Sequence, residues 1–268
     1  MPRLPSFHHS RRTATNWLLA LAPLMVASVP APAADLTNDA ASYERCMDTA
    51  RKEPEDGFEM ASVWKDHGGG LPAEHCAGVA LMGLKQYALA GDTLETLGKE
   101  MVREAPNLRA QVLTQAGEAW LQAGQPAKAR ADLDAAIGLD PKDPSLLVAR
   151  ARTLAAAKDY KAAKEDLSRA LAGGAPRGEV LTYRAAANRL SGELSAARKD
   201  ADEAVTAAPN SADAWLERAN VRRLQKDDKG ARADWIKVLE LAPDSPAGDA
   251  ARDNLAAMDI HVEGAPKP

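Results

Sequence analysis

Along residues 110–245, bulky apolar, small apolar and charged positions recur every 34 residues with no insertion or deletion. In the frame that starts at Ala110, Pro144, Gly178 and Ala212, position 4 is Leu113, Leu147, Leu181 and Trp215. Position 8 is Gly117, Ala151, Ala185 and Ala219; position 20 is Ala129, Ala163, Ala197 and Ala231; position 27 is Ala136, Ala170, Ala204 and Val238. Spacings of three and four put these residues on one face of a helix. Alternating bulky with small groups lets two helices cross closely and offer a joint apolar face to the next pair. One such unit is half a core, so the pattern predicts an all-α solenoid of antiparallel helix pairs, with units at 110–143, 144–177, 178–211 and 212–245.

Further positions agree. Residues 110–143 carry Gly117, Trp120, Gly124, Ala129, Leu133, Ala136 and Pro141; residues 178–211 carry Gly192, Ala197, Ala204 and Pro209; residues 212–245 carry Trp215, Ala219, Ala231, Trp235, Val238 and Pro243. The second unit has Ala175 followed by Pro176 where the others have a proline. A small residue at position 8, glycine or a polar substitute at 15, alanine at 20, a bulky residue at 24 and proline at 32 resemble the tetratricopeptide repeat (TPR). The resemblance covers about half the chain. It implies a right-handed superhelix whose concave side receives a peptide or a helix.

A charged pattern overlies the apolar one. Position 23 is Asp132, Asp166, Asp200 and Asp234, and position 7 is Ala116, Arg150, Arg184 and Arg218, with Arg252 at the equivalent place after the last unit. Every aspartate thus has an arginine 18 residues downstream. This spacing predicts pairs between units: Asp132 with Arg150, Asp166 with Arg184, Asp200 with Arg218 and Asp234 with Arg252. Exposed pairs contribute about 0.2–1 kcal/mol each, so their role would be register between units. Pairing inside each unit gives a different set, and leaves Asp132 and Arg252 alone.

The segments on either side follow a poorer frame. Between residues 34 and 109 the pattern predicts degenerate helical repeats: a helix capped by Asp39 and ending near Lys52, another over about 56–66 stopped by Gly68, Gly69 and Gly70, a third over about 72–90, and a fourth over about 92–105 closed by Pro106. At the other end, residues 246–260 suit a capping helix over the last apolar face, and 261–268 a loose tail.

Composition narrows the compartment more than the chemistry. Hydrophobic residues make up 46% and aromatics only 4%, as expected of close helix packing and not of a strand-built core. The 34 basic and 38 acidic residues give a net charge of −4, which becomes about −7 without Arg3, Arg11 and Arg12, and this speaks against general nucleic-acid affinity. Those three arginines precede an apolar run over 17–29 and the small residues Ala31, Pro32 and Ala33, the layout of a cleavable signal peptide over 1–33. A retained anchor is the alternative, weakened by Pro23 and Pro30. Arg11 and Arg12 match a twin-arginine export signal only partly, because Ala14 and Thr15 follow, so ordinary secretion to a bacterial periplasm is expected, with no stable membrane insertion of the mature chain. In an oxidising compartment the two cysteines, Cys46 and Cys76, are expected to form a disulfide. The alternatives are a metal site with His67 and His75, whose spacing matches no familiar ligand set, and two free thiols.

Catalytic patterns are thin. His67 to Gly70 resembles an oxyanion loop, but no Gly-x-Ser-x-Gly accompanies it, and there is no phosphate-cradling loop or haem-attachment motif. The sequence reads as non-catalytic, with no cofactor and no bound metal. By the resemblance, positions 2, 5, 9 and 12 of each first helix line a groove. Arg152, Tyr183, Arg189, Asn220 and Arg223 then form a locally positive patch suited to carboxylates or backbone carbonyls of an extended segment of an envelope protein. The bland reading is a solubilising charged face. The alternative function is a structural or oligomerising subunit that uses the convex face or the N-terminal pairs.

Overall fold

A computed structural model describes residues 40–263, with side chains to Met258. The leader over 1–33, the capping role of Asp39 and the end of the tail lie outside the described residues. Within them the chain forms thirteen α-helices and no strand. Six antiparallel pairs are followed by a single helix: α1 (Ala40–Lys52) with α2 (Pro54–Asp66), α3 (Gly70–Gly83) with α4 (Tyr87–Glu100), α5 (Pro106–Gln122) with α6 (Pro126–Leu139), α7 (Pro144–Ala156) with α8 (Tyr160–Ala172), α9 (Arg177–Leu190) with α10 (Leu194–Ala207), α11 (Ala212–Leu224) with α12 (Asp228–Leu241), and α13 (Pro246–Glu263). The helix of residue 246 runs through Glu263, so three residues expected in the tail are helical.

Five of the six hairpins share one turn. Its middle residue is left-handed: Lys85 (φ 58°), Gly124 (φ 71°), Lys158 (φ 64°), Gly192 (φ 83°) and Lys226 (φ 64°). The next amide then reaches five residues back, as Gln125 N–H does to Trp120 C=O at 2.8 Å and Asp159 N–H to Leu154 C=O at 2.8 Å, which satisfies carbonyls that the helix end leaves open. Lysine at this place in three turns accepts a backbone that glycine would adopt with less strain. The second helix often opens on a side-chain cap: Asp159 accepts from Ala162 N–H and Asp227 from Gly230 N–H.

The N-terminal boundaries differ from the sequence reading. Instead of helices over 72–90 and 92–105, the chain breaks at Leu84, Lys85 and Gln86 and places Gly91 inside α4. Lys85 supplies the left-handed residue, so Gly91 is not needed for a turn. It is needed for contact: a Cβ there would lie 2.6 Å from the Trp120 ring, and one at Gly98 would lie 2.6 Å from Leu113. These two glycines let α4 settle directly on α5. Pro106 does not close α4 but occupies the first turn of α5, where its missing N–H costs nothing. The linker of five residues between them, 101–105, is where the regular spacing is lost.

The core is a row of clusters passed from pair to pair. Leu147, Leu154 and Leu167 meet Val180 of the next pair, and Trp235 and Val238 meet Ala251 of α13, so the last helix covers the apolar face of the final hairpin. At the other end Cys46, Ala50, Trp64 and Ala80 are fully buried, and Cys46 and Cys76 form a disulfide with a Cα–Cα distance of 6.0 Å that ties α1 to α3.

The arginine–aspartate pairs lie within units, not between them. Arg150 holds Asp166 through Nε (2.7 Å) and Nη2 (2.7 Å), Arg184 holds Asp200 (2.8 and 2.7 Å), and Arg218 holds Asp234 (2.9 and 2.8 Å). The expected pairings Asp132–Arg150, Asp166–Arg184, Asp200–Arg218 and Asp234–Arg252 are not formed. The reason is hairpin geometry. Positions 7 and 23 are equidistant from the turn at position 15, and in an antiparallel pair such residues face each other. Each arginine does cross to the preceding unit, with its remaining nitrogen and at position 25: Nη1 of Arg150 meets Asp134 (2.8 Å), that of Arg184 meets Ser168 (3.2 Å), and that of Arg218 meets Asp202 (3.5 Å). Arg252 has no second helix to face and bonds to Asp249 and the Pro243 carbonyl. Asp132 faces Ala116 and is buried with its Oδ2 unpartnered.

Candidate peptide-binding surface

First helices of successive pairs pack on one another, α5 on α7, α7 on α9, α9 on α11 and α11 on α13. Contact along one edge draws that edge inward, so the first helices form the concave side and the second helices the outer wall. Positions 5, 9 and 12 of the first helices look into this side, and most are half-buried: Thr114, Glu118, Arg152, Thr182, Ala186 and Leu216 among them.

The five residues expected to bind a partner do not make a positive patch. Arg189 forms a bidentate pair with Glu217 at 2.7 and 3.0 Å, and Glu217 is only 6% exposed. Burial pushes the Glu217 carboxyl upward and the guanidinium pulls it back, so Arg189 serves to neutralise an acid inside the wall. Arg223 turns to Asp228 at 2.8 Å, and Asn220 accepts from Asn254 of α13 at 3.5 Å. Arg152 reaches Glu118 at 3.6 Å and lies over the Tyr183 ring at 5.7 Å, so these two residues remain together on the concave side. The missed partner was Glu217 at position 6, where the other units have Gln115, Ala149 and Tyr183. An acid on the edge of an apolar stripe was the available signal.

Two cavities open on this side. One, of about 630 Å³, lies between α9 and α11 against the end of α10, with Glu179, Thr182, Tyr183, Asp213 and Leu216 in its lining. The other, of about 530 Å³, lies where α3 and α5 stand apart because α4 has moved onto α5; Leu71, Leu97, Met101, Leu108 and Val112 make it mainly apolar. At its edge Tyr43 O–H donates to His75 Nδ1 at 2.6 Å, and His75 Nε2–H donates to the Gln115 amide oxygen at 2.8 Å, bridging α1, α3 and α5. Burial holds the His75 imidazole below its usual range, which keeps it neutral in this relay.

The other sulfur and histidine groups are engaged elsewhere. Cys46 and Cys76 are bonded to each other, and His67 caps α2 through Nδ1 and the Val63 carbonyl at 2.7 Å, so Cys46, His67, His75 and Cys76 do not converge as a metal site would require. The turn from His67 to Gly70 ends α2 and opens α3.

No protein-family model matches the sequence, and no curated protein does. Solved structures match the fold. A TPR protein from Parabacteroides merdae superposes with a TM-score of 0.62 at 12% identity, covering 80% of this chain and 86% of that one. PilW, described as a type IV pilus biogenesis factor, gives 0.63 at 15% identity over 77% of this chain and 94% of its own. The C-terminal part of a TPR protein from Cytophaga hutchinsonii gives 0.58 at 15% identity, over 81% and 95%. These superpositions, together with the helix pairs and their recurring turn, show that the chain has the tetratricopeptide-repeat fold.

Proposed function

We propose that the protein is an exported adaptor without chemistry of its own, which holds a segment of another envelope protein along its concave side. The observation that carries this reading is the pair of cavities that open on the concave side, one between α9 and α11 and one between α3 and α5. Export to the periplasm is supported by the pattern over 1–33 and by the disulfide, a bond that persists in oxidising compartments. The likeness to a pilus biogenesis factor agrees with an envelope role and names no partner here.

A photo-reactive side chain in place of Thr182 or Ala186, compared with one in place of Glu165 on the outer helix α8, tests the reading in cells. Crosslinks to one protein from the concave positions alone support it; crosslinks from Glu165 alone refute it. Substituting Arg189 would not serve, because that leaves Glu217 buried and uncompensated. A second reading, an oligomerising subunit, draws on the exposed Leu190 and Leu224, which stand at the same place in adjacent units. Self-crosslinking from these leucines would favour it.

A further inference from the structure

The charge on the concave side changes sign once partners are counted. Around the α9–α11 cavity, Arg177 is answered by Glu203 at 2.5 Å, Arg189 by Glu217 at 2.7 Å and Arg152 by Glu118 at 3.6 Å. Glu179 and Asp213, both exposed and both in the cavity lining, have no ion-pair partner among the described residues. Two negative charges are left over in a recess that also offers an aromatic wall, Tyr183, and an apolar one, Leu216 with Ala186. Burial first raises the Tyr183 pKa, Arg152 opposes it, and both carboxylates lie near enough to the phenol to add to the rise.

A lysine or arginine suits this combination better than a carboxylate or an aliphatic side chain. Its alkyl stem covers Leu216 and Ala186 and its charged head reaches the two acids, while the Tyr183 ring, which already carries Arg152, closes the wall beside them. The net negative charge of the whole chain, −4, steers a basic segment toward it. We propose that the α9–α11 cavity receives a lysine or arginine side chain, so that the segment bound along the concave side is basic where it crosses α9 and α11. This rests on the groove reading above and adds the chemistry of the partner.

The probe is a fluorescein-labelled peptide alternating lysine with leucine, compared with its glutamate and glutamine counterparts by fluorescence anisotropy on the disulfide-bonded chain. The lysine peptide is expected to bind, more weakly as salt rises, and the glutamate peptide not to bind. Glu179→Gln with Asp213→Asn should weaken the lysine peptide by roughly tenfold, because two exposed charge contacts are lost. Glu59→Gln with Glu165→Gln, which alters net charge equally on other faces, should leave it unchanged. Equal weakening by both pairs reduces the effect to general attraction and overturns the proposal. Retained crosslinks from Thr182 to a cellular partner that Glu179→Gln with Asp213→Asn does not disturb also overturn it, and leave the groove reading standing. Loss of every concave crosslink, with no peptide bound, removes both.

Discussion

Replacing Asp132 with asparagine should stabilise the protein at alkaline pH and do little at acidic pH. Asp132 is 6% exposed, lacks the arginine its equivalents hold, and has an unpartnered Oδ2. Burial first, and then the Glu95 carboxylate, raise its pKa from 3.8 to about 7 against the opposing pull of Lys99, Lys128 and the Trp120 indole. A carboxyl with a raised folded-state pKa keeps its proton in the folded chain while the unfolded chain has lost it. Stability therefore falls as pH climbs from about 4 to about 7 and is flat above. At about 1.4 kcal/mol per pH unit the whole shift has a ceiling of about 4 kcal/mol. Polar and charged neighbours soften the site, so roughly 2 kcal/mol is expected, a rise of about 4–8 °C in Tm for a chain of this size. Circular dichroism melts at pH 8 and pH 5 measure the difference. Amide exchange in α5 and α6 localises it, since a repeat array need not unfold in one step. If Asp132→Asn melts no higher than the parent at pH 8, or gains as much at pH 5, burial of a lone charge is the wrong account.

Three other outcomes are expected. Arg184→Met strands Asp200, to which only Asn188 still donates, and should destabilise by about 3–5 kcal/mol, whereas Arg184→Met with Asp200→Leu should recover most of this in chemical denaturation. Reducing Cys46–Cys76 opens a loop with a sequence separation of 30 and should cost about 3–4 kcal/mol, seen as earlier exchange in α1 to α3 while α9 to α12 are unaffected. Lys226→Gly relieves a left-handed lysine and should stabilise by about 0.5–1 kcal/mol in thermal melts, against no gain for Lys229→Gly in the regular helix that follows.

The helix pairs were readable because glycine or alanine fills positions 8 and 20 in every unit and position 27 in all but the last, where Val238 stands, and these residues carry the packing. The hairpin pairing of Arg184 with Asp200 was readable too, by counting from the turn at Gly192, but the longer spacing to the next unit recurs equally well along the chain. Boundaries near Lys85 were hidden because a lysine took the left-handed place and the glycine nearby served contact with Trp120. The groove charge was hidden for a different reason. Periodicity names the residues on a face, and Arg189 looked free until the fold brought Glu217 to it from the next unit, 28 residues away.

The forked arginines give the array a direction of growth. A further unit copied from 178–211 and inserted ahead of residue 212 would meet Arg218 with its own Asp202 and would find its own Arg184 a seat upstream, so lengthening there preserves every fork. The same insertion ahead of α5 would set an arginine where α4 presses Leu94 and Leu97 onto Ala116, which has no room for one. The middle of the array can thus accept a further unit, while the junction at α4 stays as a fixed foundation.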